Sequence, residues 1–577
     1  MTASGWLQIA LLLVVLTGIT PLLGGYIHRV FAGERVLLAR VLGPVERRSS
    51  ALLAGSEPAG QDWRGYAGSV LMFSAVSWLA LYLVLRTQSI QPLNPQGFGS
   101  APWDLSFNAA SSFVSNTGWQ FFGGERTLSN FSQMTGIAVQ GFLSGAVGIA
   151  AGIAIARGFA NRTSKELGNF WVDLIRALLY VLLPLSIVGS AFLVSQGAIQ
   201  TLASDVHLST LAGGTQTLAL GPAASQKAVM LLGSDGGGFY AVNSAMPFED
   251  PTGLANFVEM VMMLAIPAAL TATYGRIVGS RRQGWVLYAV MVVMFLGGAA
   301  VAYPAESRPS PAMRAAGVHG LNMEGKDQRL QVSDSVLEAV AGTTTGNGST
   351  NAALDSFTGL GGSIPMADIM TGEVIFGAVG SGLYGMLLMV LLAVFVAGLM
   401  VGRTPEYLGK RVEAREIKLV TIGAIAVPLI VLFMTAWAIS ARYGLRSIFN
   451  AGPQGFSETL YAYTSQANNN GSAFAGYVGF LQPHAPGNAG ASGVPFADLA
   501  GGVAILVGRF LPMLAALAVA GSLSGKRTIA AGAGTMRTDT VVFAVLLLAT
   551  ITIVALLTFV PSLMLGPLVQ ALTPRLF

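Results

Sequence analysis

The sequence predicts an all-α polytopic membrane protein with ten transmembrane helices and four span, re-entrant helix, filter, span repeats. Three observations lead there. Only 10% of the 577 residues are charged and 53% are hydrophobic, whereas an ordinary soluble domain carries about 25% charged residues. Ten segments approach the roughly 20 apolar residues that a helix needs to cross a bilayer. Four long loops, all on one side, repeat a short apolar stretch followed by a Gly-centred polar cluster. The composition is too apolar for a disordered chain. The absence of cysteine excludes a disulfide framework and any Cys-based metal centre. The basic residues form no run or stripe, which argues against a nucleic-acid partner and leaves membrane lipid as the surrounding.

The ten segments run from Trp6 to Tyr26, Tyr66 to Leu85, Met134 to Ala156, Phe170 to Ser195, Leu254 to Tyr274, Trp285 to Tyr303, Glu373 to Met400, Leu419 to Ile439, Leu499 to Ala520 and Val541 to Val560. The first has a long apolar run and no positive leader, so it reads as a span and not as a signal peptide. Trp6, Tyr26, Tyr66, Trp171, Tyr274, Trp285 and Tyr303 lie near span ends, where amphipathic rings favour the headgroup zone. Loops 29–65, 156–169, 275–283, 402–418 and 521–539 hold 20 basic and 9 acidic residues, and the opposite set, with Asp235 and the residues in or beside spans (Arg86 and Asp498 among them) counted apart, holds 9 and 13. The excess of Lys and Arg marks the first set as cytoplasmic, so both termini are expected outside.

The four long outer loops cover 86–133, 196–253, 304–372 and 440–498. Their short apolar stretches, Asn108–Val114, Ala223–Leu232, Ser333–Ala341 and Ser457–Ala467, are too short to span and read as re-entrant helices. The clusters that follow are centred on Gly118, Gly236, Gly346 and Gly471, spaced 118, 110 and 125 residues apart. A Phe lies three residues beyond three of these glycines, at Phe121, Phe239 and Phe474, and Ser349 occupies that place in the third. A loose repeat of this form, recurring four times, outranks a reading of each cluster as a surface turn. The chain divides accordingly into a first span with its cytoplasmic loop (1–65), four pore repeats (66–156, 170–278, 285–401, 419–520) and a last span with an outer C-terminus (541–577).

A monovalent cation sheds its water only where oxygens replace the hydration shell, as backbone carbonyls do in potassium filters. Glycine permits the φ > 0 conformations that turn successive carbonyls one way. Irregular backbone at membrane depth is tolerated where it lines a cavity. Four such strands in one chain would build one pseudo-fourfold pore, with the negative ends of the re-entrant helices aimed at the ion. The expected filter residues are Asn116, Thr117 and Gly118; Ser234, Asp235 and Gly236; Thr344, Thr345 and Gly346; and Asn469, Asn470 and Gly471.

At these residues the sequence resembles the channel-like, potassium-binding A subunits of the Kdp potassium-transporting P-type ATPases. The resemblance is carried by Asn116-Thr117-Gly118-Trp119-Gln120, Gly233 to Tyr240 with Asn243-Ser244-Ala245 and Pro247-Phe248-Glu249, and Asp355-Ser356-Phe357-Thr358. It continues through Gly372 to Gly377 with Gly380 to Met386, Gly402 to Lys410, and Tyr461 to Gly476. It implies the fold of the potassium-transporter superfamily and a place in a bacterial inner membrane with both termini periplasmic. It implies three partners: a P-type ATPase catalytic subunit, a periplasm-facing accessory subunit and a small single-span subunit. K+ would be the transported ion, selected at the filter and passed along an intramembrane tunnel to the ATPase subunit. Two positions depart from the family pattern: Gly118 stands where Asn is common, and Ser234-Asp235 where Thr-Asn is common. Asp235 either puts a carboxylate near the ion path or turns away to accept backbone N–H bonds.

The segment after Glu373 carries Gly377, Gly380, Ser381, Gly382 and Gly385. So many glycines weaken a helix. They serve either a broken gate segment, which the resemblance favours, or close helix packing. Arg509 sits mid-span, and a central Arg costs at least about 2.5–3.5 kcal/mol on insertion scales. It therefore faces protein or water, either as a structural residue bonded to carbonyls or, as the resemblance implies, as a fixed cation below the filter at the start of the tunnel. Arg176 is one turn from Asp173, an i, i+3 spacing that suits a pair. Glu259 has no evident partner. His207, His319 and His484 are isolated and are assigned no ligand role.

Gly525-Lys526-Arg527-Thr528 lacks the spacing of a phosphate-binding P-loop, and the chain has no Asp-Lys-Thr-Gly sequence. The sequence thus predicts a binding and conducting subunit with no ATP site and no catalysis of its own. The alternative is a stand-alone potassium channel or cation-coupled transporter of the same superfamily.

Overall fold

The computed structural model describes residues 1–477, 495–528 and 536–573; His484 lies outside them. Ten helices are long and apolar enough to cross a membrane. In chain order the principal helices are α1 (Ala3–Phe31), α2 (Ala39–Ala54), α3 (Trp63–Arg86), α4 (Trp103–Val114), α5 (Ser132–Ala160), α6 (Phe170–Gln196), α7 (Ala223–Gly233) and α8 (Gly253–Ile277). They continue with α9 (Arg281–Glu306), α10 (Val332–Thr344), α11 (Gly359–Met370), α12 (Ser381–Met400), α13 (Ala414–Ser440), α14 (Gly452–Ala467), α15 (Pro495–Ser524) and α16 (Val541–Leu565). Strand is confined to two small hairpins among the described residues, Val206–Ser209 with Thr215–Leu218 and Glu406–Tyr407 with Lys410–Arg411.

One order recurs four times: a span, a short helix of 11 to 16 residues, a polar strand and a second span. The second spans form the inner layer. In their apolar windows α5 is 78% buried, α8 72%, α15 61% and α12 56%, against 28% for α3 and α13 and 17% for α16. Their sequences follow from that position. The inner face of α5 carries Gly141, Ser144, Gly145, Gly148 and Gly152, and small residues let helices approach closely where lipid provides no hydrophobic drive. Outer spans instead present Leu, Val and Phe to the surroundings, as with Leu429 and Phe433 of α13 and Leu557 of α16. α1 packs along α8 and closes the bundle beside it.

The first and the last described residues lie on the side of the four short helices. Gln8 near the start of α1 donates to Asp334 of α10, and the helix Pro567–Leu572 packs on α11 and α14.

One span differs from its expected bounds. The helix anticipated from Glu373 begins at Ser381, and the residues before it form a loop after the separate helix α11. Glu373 and Phe376 take φ of 57° and 59°, and Gly377 and Gly380 take 65° and 97°. No α-helix accommodates four such residues in eight positions.

The charged pairs also differ from the expected ones. Asp173 pairs with Arg157 at 2.6 Å, and Arg176 pairs with Glu46 at 2.8 Å. Arg157, on the preceding helix α5, reaches both carboxylate oxygens of Asp173, a fork that a neighbour on the same helix face does not match. Glu259 faces Lys227 at 3.7 Å.

Candidate functional site

Each short helix ends in a residue in the left-handed region: Asn116 (φ 64°), Ser234 (50°), Gly346 (54°) and Asn469 (56°). The next backbone N–H turns back to the helix, from Thr117 to Ser112 O at 2.9 Å, Asp235 to Met230 O at 3.0 Å and Asn470 to Ser465 O at 2.9 Å. In the third unit the matching bond runs from Gly348 to Gly342 O at 3.1 Å. These turns stop the helices and set the strands running back along them.

The four strands meet in a closed ring. A methyl group added at Gly118 would overlap the backbone of Gly236, one at Gly236 the carbonyl of Asn347, one at Gly348 the carbonyl of Asn470, and one at Gly471 the carbonyl of Thr117. Only glycine allows that approach at each contact. Side chains stitch the ring from outside. Asn116 donates to Ser234 O. Asn347 Nδ2 donates to Met230 O at 3.0 Å, Asn470 Nδ2 to Gly342 O at 2.9 Å, and Asn469 Nδ2 to Thr117 Oγ1 at 2.8 Å. All are buried.

The ring brings together Asn116, Thr117, Gly118, Ser234, Asp235, Gly236, Asn469, Asn470 and Gly471. In the third unit the register differs by two residues. Gly348, not Gly346, is the counterpart of Gly118, Gly236 and Gly471. Gly346 ends the helix, as Asn116, Ser234 and Asn469 do. Thr344 is the last residue of α10 and Thr345 its cap. Their hydroxyls are turned back to Val340 O and Ala341 O at 2.7 Å. The residue three beyond the ring glycine is then Asn351 and not Ser349. Asn347, Gly348 and Ser349 are the positions that residue patterns missed. A signal was present, since Asn347-Gly348-Ser349 repeats Asn470-Gly471-Ser472. The second strand carries its own departure: its second left-handed residue is Gly237 (φ 80°), where the others use Gly118, Gly348 and Gly471.

Asp235 turns to α5, where its Oδ2 accepts from Ser144 Oγ at 3.0 Å, and its Oδ1 has no hydrogen-bond partner among the described residues. The Gly372–Gly380 loop lies behind the third strand, with Gly377 N–H donating to Thr344 O at 2.8 Å. Glu373 accepts from Ser381 Oγ. Gly380 backs onto Gly148 of α5 and Gly382 onto Phe376 O, both too closely for a Cβ. Arg509 is 3% exposed, and neither of its Nη atoms has a hydrogen-bond partner among the described residues. Its Nη2 lies 3.1 Å from where a Cβ on Gly148 would sit, beside the Val379 carbonyl. Both Glu373 and Asp235 feel its charge. A cavity of about 80 Å³ is lined by Glu373, Ser381, Asn468 and Asn469 and, farther out, by Pro428 of α13 and Phe559 of α16.

Residues 10–572 match the family described as the potassium-transporting ATPase A subunit. The chain belongs to that family. It is 50% identical over 575 residues, 99% of this chain and 98% of the other, to the potassium-transporting ATPase potassium-binding subunit of Methylobacterium nodulans. To the protein of the same name from Mesorhizobium japonicum it is 47% identical over 572 residues, 99% of each. Its fold is shared with the potassium transporter TrkH of Vibrio parahaemolyticus. The TM-score is 0.51 at 14% identity, covering 89% of this chain and 98% of that one. The A-subunit chain is thus a multi-pass membrane protein of a potassium-transporting ATPase family.

Proposed function

We propose that this chain binds and translocates K+ for an ATP-driven import complex of a bacterial inner membrane. In this reading residues 66–156, 170–278, 285–401 and 419–520 act as four units of one pore. The observation that carries it is the closed ring of four glycine strands, each following a helix whose C-terminal end faces the ring. Backbone oxygens arranged in that way replace a hydration shell without a formal charge, and helix dipoles favour a cation there. K+ would enter from the periplasmic side, where both termini lie, and bind at the strands bearing Gly118, Gly236, Gly348 and Gly471.

Below the ring the fixed charge of Arg509 repels the ion from a straight path inward. The Gly372–Gly380 loop and Glu373 then line its turn. The cavity leading past α13 and α16 suits a sideways intramembrane exit toward a P-type ATPase subunit, which would supply the hydrolysis. A periplasm-facing accessory subunit and a small single-span subunit complete the assembly, and this chain itself holds no ATP site.

The test is mild extraction of the tagged chain, followed by an assay for a co-purifying ATPase activity stimulated by K+. A lone chain that conducts K+ without ATP would overturn the reading in favour of a stand-alone channel or cation-coupled transporter.

A further inference from the structure

The four short helices are alike in length and ending, but one carries a buried lysine where the others carry alanine. Counted seven residues back from Asn116, Ser234, Gly346 and Asn469, the equivalent positions are Ala109, Lys227, Ala339 and Ala462. All four are buried, and Lys227 is 0% exposed. An ammonium taken out of water costs several kcal/mol unless it is paired and hydrogen-bonded, so a lysine in an alanine position needs a reason.

Its contacts supply one. Lys227 Nζ donates to Ser349 Oγ at 2.7 Å and lies 3.7 Å from Glu259 Oε2 and 4.0 Å from Glu249 Oε2. Ser349 is the residue after the ring glycine Gly348, and its N–H donates to Asn347 Oδ1 at 3.2 Å. Glu249 Oε1 accepts from the N–H groups of Phe239 and Tyr240 at 2.7 and 3.2 Å, at the outer end of the second strand. Ser244 Oγ donates to Glu259 Oε2 at 2.8 Å and sits 3.0 Å from Ser349 Oγ. Asn256 joins Asp250 and Glu338 beside the same group. One ammonium therefore ties the second short helix to the third strand directly and to the second strand through Glu249. The fourth strand has a neutral counterpart: Ser472, equivalent to Ser349, is held by Tyr461 OH at 2.7 Å.

We propose that Lys227 is a positioning residue for ion discrimination, holding the second and third strands, through Glu249 and Ser349, at the separation that suits K+. The inference rests on the filter reading above and adds to it a group that never touches the ion. A ring of carbonyls distinguishes K+ from the slightly larger Rb+ only if strand separation is maintained, and a charge-assisted bond resists displacement better than a neutral one.

The test is K+- and Rb+-stimulated ATPase activity of the purified complex, read as the ratio of the two KM values, for Ser349→Ala, Lys227→Met and the double variant. Gly236→Ala serves as a control on the ring itself. Ser349→Ala leaves every charge in place. It is expected to lower the preference for K+ about tenfold, the scale of one lost hydrogen bond to a charged group. Lys227→Met, which also frees Glu249, should lower it at least as far, and the double variant no further than Lys227→Met, since Ser349 acts only through its bond to Lys227. If Lys227→Met does not assemble, Ser349→Ala decides alone. A wild-type ratio in the assembled single variants, with Gly236→Ala shifted, would overturn the proposal and leave the filter standing. A wild-type ratio in Gly236→Ala as well would remove the filter reading itself.

Discussion

Truncating Asn347 to alanine tests the register of the third strand, the part of the ring that sequence patterns misassign. The Asn347 side chain donates to Met230 O at 3.0 Å and Leu231 O at 3.4 Å, and accepts from Ser349 N–H at 3.2 Å. Met230 O keeps a partner in the variant, because Asp235 N–H also donates to it. The Ser349 N–H does not, and a buried donor left unpaired costs about 1–3 kcal/mol, while each lost neutral bond adds about 0.5–1.5 kcal/mol. The terms sum to about 2–6 kcal/mol, and the lower end, about 2–3 kcal/mol expressed in the ion-bound state, corresponds to about a 30- to 150-fold rise in KM for K+.

Thr344→Val and Thr345→Val are the contrast. Their hydroxyls bond only to carbonyls of their own helix, so their loss should change KM by less than about threefold, the effect of about half a kcal/mol. The assay is K+-stimulated ATPase activity of the reconstituted complex, with growth at limiting K+ as a second reading. An unchanged KM in Asn347→Ala together with a large shift in either Thr variant would refute the register and restore Thr344, Thr345 and Gly346 as the third strand.

Other outcomes follow from the same geometry. Arg509→Ala should abolish ATP-driven uptake while the complex still assembles; intact uptake would mean that the guanidinium is structural only. Replacing Gly380 and Gly382 with Ala should lower turnover more than it raises KM for K+, because their close contacts are with Gly148 of α5 and with Phe376 of the loop and not with the ring, and unchanged kinetics would point to simple packing. Asp235→Asn should preserve K+ uptake, since the carboxylate turns to Ser144, and loss of uptake would place it on the ion path. Asp173→Ala removes the buried carboxylate that holds the half-buried Arg157 guanidinium and should cost about 1.5–3 kcal/mol of stability, the scale of a hydrogen bond to a charged group, seen as a lower unfolding temperature of the complex. In the loop opposite the termini, burial and, to a smaller extent, Arg162 lower the Lys410 ammonium from 10.5 to about 8. The unfolded chain binds the extra proton between those values, so this group's destabilising effect is full below pH 8 and is relieved as pH rises toward 10.5. Lys410→Met should remove that increment from the pH dependence of thermal unfolding, and identical profiles would count against it.

The spans were legible because bilayer thickness imposes a length and an apolarity on any crossing helix. The short helices were legible because their apolar runs are too brief to cross and each ends in Gly-rich polar sequence. The Glu373 segment was legible as a weakness, from its glycines, but not as a loop, because its four positive φ values depend on contacts with Gly148 and Thr344 from distant parts of the chain. The third strand failed for a local reason: Gly346 and Gly348 both satisfy a glycine pattern, and only the end of α10 decides between them. The Arg157–Asp173 pair and the Lys227 cluster are set by tertiary neighbours that no spacing along one helix announces.

The ring's construction from a single chain also changes the dosage of mutation. In a pore assembled from four copies of one short chain, a single codon change alters every wall at once, and a tolerable change in one wall must be tolerable four times over. Here each wall is encoded separately, so a substitution such as Asp for Asn at position 235, or a lysine at position 227 alone, is met by three unaltered walls. In the proposed pore, ion preference would then shift by small steps, one quarter of the circumference at a time, and a single wall can be altered for another task, as the third unit has given the start of its inner span to the Gly372–Gly380 loop.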